Sequence, residues 1–510
     1  MELKCDKVGI VTEKIIFDEI IEQGVEADFT LPEYMPEISR MLKCFSTPML
    51  LDKSVNGQRL TVDGDLNVNC VYADQNGCPH SYEYKIPFRK NIELPSDDEV
   101  SVDISLKIGF LNYRPTGQRR IDIRGQVCIS VKAVKKENTD ILSFFSGGSV
   151  ETLKKEILYS MPIGKYEKGI IIDEELDVTA DRQPISEILN HRAYAEIDDA
   201  KIISGKIIVK GNFFLHILYM TENAKRPSIY ETTIPFSQML DANIGEDDAE
   251  CEAAVTVAAL DIKERKDLDS VTVGVSLEAK LMVEVTAQKR AKSCVLTDGF
   301  STEYLSQIEY DDIEYSSLLG EIHEHYICKK SIEIQEGSLI DVAEIFSTVS
   351  NEEAKCEDDK ISVSGTVTIH ILGYNQEKCA VYFEKPLDFS YSFPFENLPK
   401  NAKVKARCII TDTSYTLSDS GKIEVRASMA VDARVTNEER LAVIRSVKVD
   451  ENQKKTGEKD CTLAVYYTKE GETVWEIAKR YNTKVDEIIK ANSLDMEMFS
   501  RGEMLLIPCI

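Results

Sequence analysis

The chain has 510 residues and a net charge of −27 at pH 7. That surplus of carboxylates repels phosphate, which sets the protein against nucleic acid and against adsorption to anionic lipid. No run of about 18 apolar residues is present to cross a bilayer, and the length suggests three or four domains of ordinary globular composition.

The first residues, Met1-Glu-Leu-Lys-Cys-Asp-Lys7, contain no apolar stretch of the kind that directs export. Thirteen cysteines are scattered without a Cys-x-x-Cys pair. An odd count without framework spacing reads as reduced thiols in a cytosol.

From the start to about residue 450 the chain repeats itself at a period of about 150 residues. The clearest marker is a strand running through a glycine: Leu60 to Tyr72 around Gly64, Ile207 to Tyr219 around Gly211, and Ile361 to Tyr374 around Gly365. Leu66, Val68 and Cys70 alternate with Asp65, Asn67 and Asn69, and Val367, Ile369 and Ile371 with Thr366, Thr368 and His370. Period 2 means strands with one buried face. A second marker comes after it, Ile86-Pro-Phe88, Ile234-Pro-Phe236 and Phe393-Pro-Phe395. A proline between large apolar residues marks an edge or a strand end, where no ladder donor is needed. Two further strands close each copy, for example Val100 to Leu111 and Ile121 to Val131 in the first.

Ahead of each glycine strand lies a lead-in containing Pro36-Glu-Ile38, Pro184-Ile-Ser-Glu-Ile188 or Asp341-Val-Ala-Glu-Ile345, read as a short helix or turn. Leu142 to Ser146 matches Leu296 to Ser301, and a polar stretch of helix is expected after each. Many short strands with turns between them predict a β-sandwich. Residues 449–461 are polar and read as a flexible linker that lets the C-terminal module move independently of the acidic body.

The last fifty residues read strand, helix, helix, strand. Leu463-Ala-Val-Tyr-Tyr467 is a short apolar strand. Thr473 and Glu476 form a capping box, and Val474, Ile477, Ala478 and Tyr481 recur at helical spacing. Thr483 with Asp486 predicts a weaker cap for a second helix, with Val485, Ile488 and Ile489 inward. Met504 to Ile507 is the closing strand, stopped by Pro508. Residues 462–510 hold six Lys or Arg and eight Asp or Glu, so nearly all the negative charge lies upstream. Trp475, the only tryptophan, sits about 100° around the helix from Val474, on the flank of the buried stripe. A partly exposed aromatic there reads as a partner anchor or as a ring packing along the domain edge. Cys461 and Cys509 flank the two strands and are taken as thiols.

This segment resembles a LysM domain. Gly471, Thr473, Ile477, Ala478, Tyr481, Val485, Asn492, Gly502, Ile507 and Pro508 all fall on the family pattern. Glu472 stands where the family has Asp, and Arg501 where it has Pro. Both lie in or near the loops with which LysM domains grip N-acetylated glycans. The resemblance would place such a loop at Gly471, Glu472, Thr473 and Asn492.

Catalytic and metal signatures are nearly absent from the chain. His216 and His370 share a repeat position where the first copy has Asn69, which reads as a polar contact on the outer strand face. His323-Glu-His325 places two imidazoles on one strand face but suggests no third ligand, and zinc needs three or four. No phosphate-binding Gly-x-x-x-x-Gly-Lys loop, nucleophile elbow or His-Glu-x-x-His helix occurs. The expectation is no catalytic residue, no metal and no cofactor.

Three tandem β copies ending in a LysM module resemble the SPOCS-domain proteins of spore-forming Firmicutes. The expected fold is mainly β: three tandem β-sandwich-like repeats at 1–150, 151–315 and 316–448, a linker at 449–461, and a small α+β (βααβ) LysM domain at 462–510. The resemblance implies a non-enzymatic spore-coat scaffold in the mother-cell cytoplasm at the forespore surface. Its LysM would bind the coat basement ATPase, stage IV sporulation protein A, and other coat proteins are further expected partners. Leu463, Thr473, Val474, Trp475 and Lys479 are the expected partner-binding residues. The alternative is a wall protein holding peptidoglycan or cortex through its LysM.

Overall fold

The computed structural model describes residues 4–96, 99–178, 184–221, 226–242, 244–245, 249–266, 272–333, 338–417, 422–455, 462–494, 499 and 502–508. The chain is mainly β, with two short helices near its C-terminal end. Six strands form the first unit: β1 (Lys4–Thr30), β2 (Arg40–Asn56), β3 (Arg59–Ala73), β4 (Pro79–Glu93), β5 (Val100–Pro115) and β6 (Arg120–Ser146). The second has β7 (Val150–Leu176), β8 (Ile185–Ile203), β9 (Lys206–Thr221), β10 (Ser228–Asp241), β11 (Ala249–Lys266) and β12 (Thr272–Ser301). The third has β13 (Tyr304–Glu333), β14 (Asp341–Glu357), β15 (Lys360–Tyr374), β16 (Ala380–Pro394), β17 (Ala402–Leu417) and β18 (Lys422–Lys454).

Each unit builds the same two antiparallel sheets. The second to fourth strands make a meander, β2-β3-β4, and the first, sixth and fifth pair as β1-β6-β5. The other two units repeat this order. The glycine strand is the centre of the meander, and its inward side chains meet those of the long last strand. Leu60, Val62, Leu66, Val68 and Cys70 face Ile121, Ile123, Val127, Ile129 and Val131 across one core. The sandwich arises from period-2 patterning on both central strands.

The marker glycines have a steric cause. Gly64 pairs with Phe88, Gly211 with Phe236 and Gly365 with Phe389 on the edge strand. A Cβ would come within 2.5, 2.6 and 2.9 Å of the respective Phe ring. A register shift lies opposite each glycine, between Leu50 and Asp52, Ile197 and Asp199, and Ser350 and Glu353. The bulge and the bare glycine let the ring lie across the strand. In the third unit this ring is Phe389, not part of Phe393-Pro-Phe395; Phe393 pairs with Ile361 at the strand end. The proline marker is therefore displaced in that copy, although Pro87, Pro235 and Pro394 all sit on edge strands.

Three expectations are corrected. Pro36 to Ile38 is irregular coil, while Ile185 to Ile188 and Asp341 to Ile345 are strand, not helix. The polar stretches after Ser146 and Ser301 are the strands β7 and β13. Part of β7 is open on both faces, which explains its polarity: Lys154, Lys155 and Glu156 are exposed in succession, and Ile157 and Tyr159 are buried. β13 also runs through the expected 315/316 boundary, and residues 449–454 continue β18, paired with the start of β13. Residues 456–461, with Cys461, and also Cys509 and Arg501, lie outside the described residues.

The end of each last strand pairs with the start of its unit's first strand, giving a two-stranded ribbon that projects past the sandwich. The three ribbons share a core of Ile10, Ile141, Ile157, Tyr159, Val295, Ile313, Tyr315 and Val443. Leu142, Leu296 and Ile444, at one repeat position, meet in a second cluster. The meanders meet likewise through Val71, Leu218 and Leu372. The three units thus pack around a common centre, and each fully buried aliphatic there contributes about 1.5–3 kcal/mol.

The C-terminal module is β19 (Leu463–Tyr467), α1 (Val474–Tyr481), α2 (Val485–Asn492) and β20 (Met504–Pro508), with the two strands antiparallel.

Candidate functional site on the C-terminal module

Helix α1 starts as its residues dictate. The Glu476 N–H donates to Thr473 Oγ1 at 3.2 Å, and the Thr473 N–H to the Glu476 carboxylate at 2.9 Å. Val474, Ile477 and Ala478 are buried, and Asn482 closes the helix in the left-handed region at φ 51°. Val474 is therefore core. The second helix is capped differently from expectation. Lys484 is its N-cap, without a side-chain bond, and Thr483 is buried with its hydroxyl donating to Glu487 at 3.3 Å.

Trp475 does lie on the flank of the stripe, but repeat two covers it. The indole N–H donates to Asp298 Oδ2 at 2.9 Å, and the Lys479 ammonium to both Asp298 oxygens at 2.7 and 2.8 Å. The Phe300 ring stands edge-on to the indole at 5.1 Å and joins the module's own core. Tyr310 O–H and the Gly299 N–H also donate to Asp298, at 2.9 and 2.8 Å. Burial by itself would raise the Asp298 carboxyl; the bonds from Lys479, Trp475, Tyr310 and Gly299 outweigh it and hold the group below the ordinary carboxylate value. Burial and Asp298 push the Tyr310 hydroxyl up to about 12.

The approach to the module is fastened too. The Lys455 N–H donates to Glu303 O at 2.8 Å, and its ammonium to Ser301 O at 2.7 Å and Asn482 Oδ1 at 2.6 Å. Residues 449–454 of the expected linker are thus strand β18, which carries the chain to the docking point.

Leu463 lies elsewhere, on the outer face of the two-stranded sheet. It is exposed together with Val465, Tyr467 and Met504. Strand alternation puts the first three on one side, and the register sets Val465 beside Leu506 and Tyr467 beside Met504. The expected partner residues therefore divide between two faces: Leu463 on an open apolar stripe, Trp475 and Lys479 against repeat two. Val465, Tyr467 and Met504 were missed by sequence reasoning. The alternation within Leu463-Ala-Val-Tyr-Tyr467 carried the signal, but not which of the two tyrosines faces outward.

The glycan-loop residues have other work. The Glu472 carboxylate accepts from the Lys469 N–H at 2.9 Å, Tyr466 O–H at 2.8 Å and Arg480 at 2.9 Å. These bonds, the Lys469 N–H first, lower its pKa. Asn492 Nδ2 donates to Ile488 O and Leu506 O at 2.9 and 2.7 Å, and its Oδ1 accepts from the Leu506 N–H at 2.7 Å. Asn492 thus pins β20 to α2. Gly471, at φ +84°, stands in open space.

His216 and His370 lie at the junction between repeats. His370 bonds Thr348 at 2.9 Å and Tyr382 at 2.6 Å, and burial lowers its pKa to about 4. His216 is lowered to about 3 by burial and Arg192, which pairs with the buried Glu344 at 2.8 Å. A cleft of about 840 Å³ beside this pair is lined by Arg192, His216, Glu231, Glu344, Thr413 and Tyr415. His323 is exposed and pairs with Asp432 at 2.8 Å. Among the described residues no cluster of three or more His, Cys, Asp or Glu is placed to hold a metal, and no helix is long and apolar enough to cross a membrane.

Comparison with known families finds the model described as "SipL, SPOCS domain" at residues 37–114 and 184–264, and the LysM domain at 466–498. The first two segments are β2 to β5 and β8 to β11, the meander and the strand after it. Neither is an enzymatic family. No curated protein and no solved structure matches the chain. The sporulation-associated SPOCS domain, matched in two segments, and a C-terminal LysM domain therefore occur together in this chain.

Proposed function

We propose that this protein is a spore-coat morphogenetic scaffold without catalysis of its own. It works in the mother-cell cytoplasm at the forespore surface, where its LysM domain binds the coat basement ATPase, stage IV sporulation protein A, and permits encasement by the coat. The observation that carries the reading is the open apolar stripe of Leu463, Val465, Tyr467 and Met504. A solvent-facing row of aliphatic and aromatic side chains fits a protein surface. The glycan reading has less support, because Glu472 and Asn492 spend their polar atoms on the domain's own turn and strand.

The test uses the full chain, wild type and Val465→Glu with Tyr467→Glu, against purified coat ATPase and insoluble peptidoglycan. Saturable ATPase binding that the substitutions abolish, with no sedimentation on peptidoglycan, is the expected result. Peptidoglycan binding without ATPase binding would make the protein a wall binder.

A further inference from the structure

We propose that the Trp475–Lys479 face of the LysM domain is a recognition site for a carboxylate followed two residues later by an aromatic ring. Repeat two fills it in cis with Asp298 and Phe300. This rests on reading the LysM as a partner-binding module, and adds a second surface with its own chemistry.

The site has three parts on one helical face. The indole N–H and the Lys479 ammonium converge on one carboxylate, so both its oxygens are held. The indole ring supplies the apolar wall against which Phe300 packs. On an extended strand residues i and i+2 point the same way, so Asp-Gly-Phe presents both groups to the helix at once. Gly299 points the other way, where a Cβ would lie 3.2 Å from Ile308 and 3.3 Å from Ile444.

Repeat two is built for this and its siblings are not. A register shift between Leu296 and Asp298 leaves Thr297 unpaired and turns the strand end. The same shift occurs between Leu142 and Phe144 and between Ile444 and Ser446. The positions equivalent to Asp298 and Phe300 are then Phe144 and Ser146 in repeat one, and Ser446 and Lys448 in repeat three. The shared fold does not require an acid and an aromatic there. The docking surface does.

A partner segment carrying Asp or Glu two residues before Phe, Tyr or Trp on an extended backbone competes with Asp298 for the same donors. The tethered contact acts at high effective concentration, so the face is shielded until such a segment displaces it.

The experiment uses the full chain, whose single tryptophan lies in the site. Wild type, Asp298→Asn and Asp298→Lys are compared by Trp475 emission and acrylamide quenching, with far-UV circular dichroism to establish folding. Emission shifts red and quenching rises about twofold or more in Asp298→Lys, with Asp298→Asn between. A synthetic peptide of residues 295–301 added to Asp298→Lys restores the blue emission, and the same peptide with Asn for Asp does not. Emission and quenching unchanged from wild type in the folded Asp298→Lys protein, or equal action of the two peptides, would overturn the proposal. No ATPase enters this assay, so its outcome is separate from that of the Val465 and Tyr467 substitutions.

Discussion

Trp475 donates its indole N–H to Asp298 at 2.9 Å, joining two side chains 177 residues apart in sequence. The contact makes the LysM domain a reporter of its own position, and pH is a direct handle on it. The docked Asp298 carboxyl is held below its ordinary 3.8. A lowered pKa in the docked state means the contact contributes fully above that ordinary value. It fades as pH falls through the docked one. A red shift of Trp475 emission is expected below pH 3.8, and Asp298→Asn should lack that step. Salt should weaken the Lys479 component in the same assay, because that side chain is half exposed.

Gly211→Ala should destabilise repeat two by about 1–3 kcal/mol, because the new methyl meets the Glu196 carbonyl oxygen and the Phe236 ring. Gly24→Ala, on β1 with nothing within 4 Å of the added carbon, is the matched control and should change the melting temperature little. Equal losses in the two variants would remove the ring-over-glycine explanation.

His370 is neutral in the folded protein, with a pKa lowered to about 4 from 6.5. The unfolded chain therefore binds more protons between those values, and stability falls as pH drops through that window. One such group contributes a slope of at most about 1.4 kcal/mol per pH unit. Denaturant titrations at pH 7 and pH 5 should give a smaller loss for His370→Gln than for wild type. Identical slopes would mean the junction does not register this proton.

Asn492→Ala should lower the melting of the LysM domain, monitored by Trp475 fluorescence in the full chain. Three hydrogen bonds go with the side chain, and the Leu506 N–H loses its acceptor. A loss of about 1–3 kcal/mol is expected. Unchanged melting with altered glycan binding would return Asn492 to the glycan loop.

How much could be read in advance depends on the range of each interaction. Strand alternation and the Thr473 capping box are local, so the mainly β class, the glycine strand and the βααβ module were legible. The polar β7 and β13 were not, since runs such as Lys154, Lys155 and Glu156, exposed in succession, break the period-2 alternation that marks a half-buried strand. Neither was the junction. Lys43, Asn190 and Glu344 share one repeat position, yet pair with Glu384, Asn69 and Arg192 respectively. Their roles differ because each meets a different neighbour. The Asp298 clasp leaves no local pattern at all, and only the folded ribbons bring it to α1.

The shared ribbon core also sets these repeats apart from a stacked array. In stacked arrays each unit touches only its neighbours, so units can be added or lost at the ends. Here Ile141, Val295 and Val443 lie in one cluster, so among the described residues each unit's ribbon meets both of the others. Removing any one repeat would lay bare an aliphatic seam on the other two. On this packing the three repeats are expected to unfold together rather than one by one.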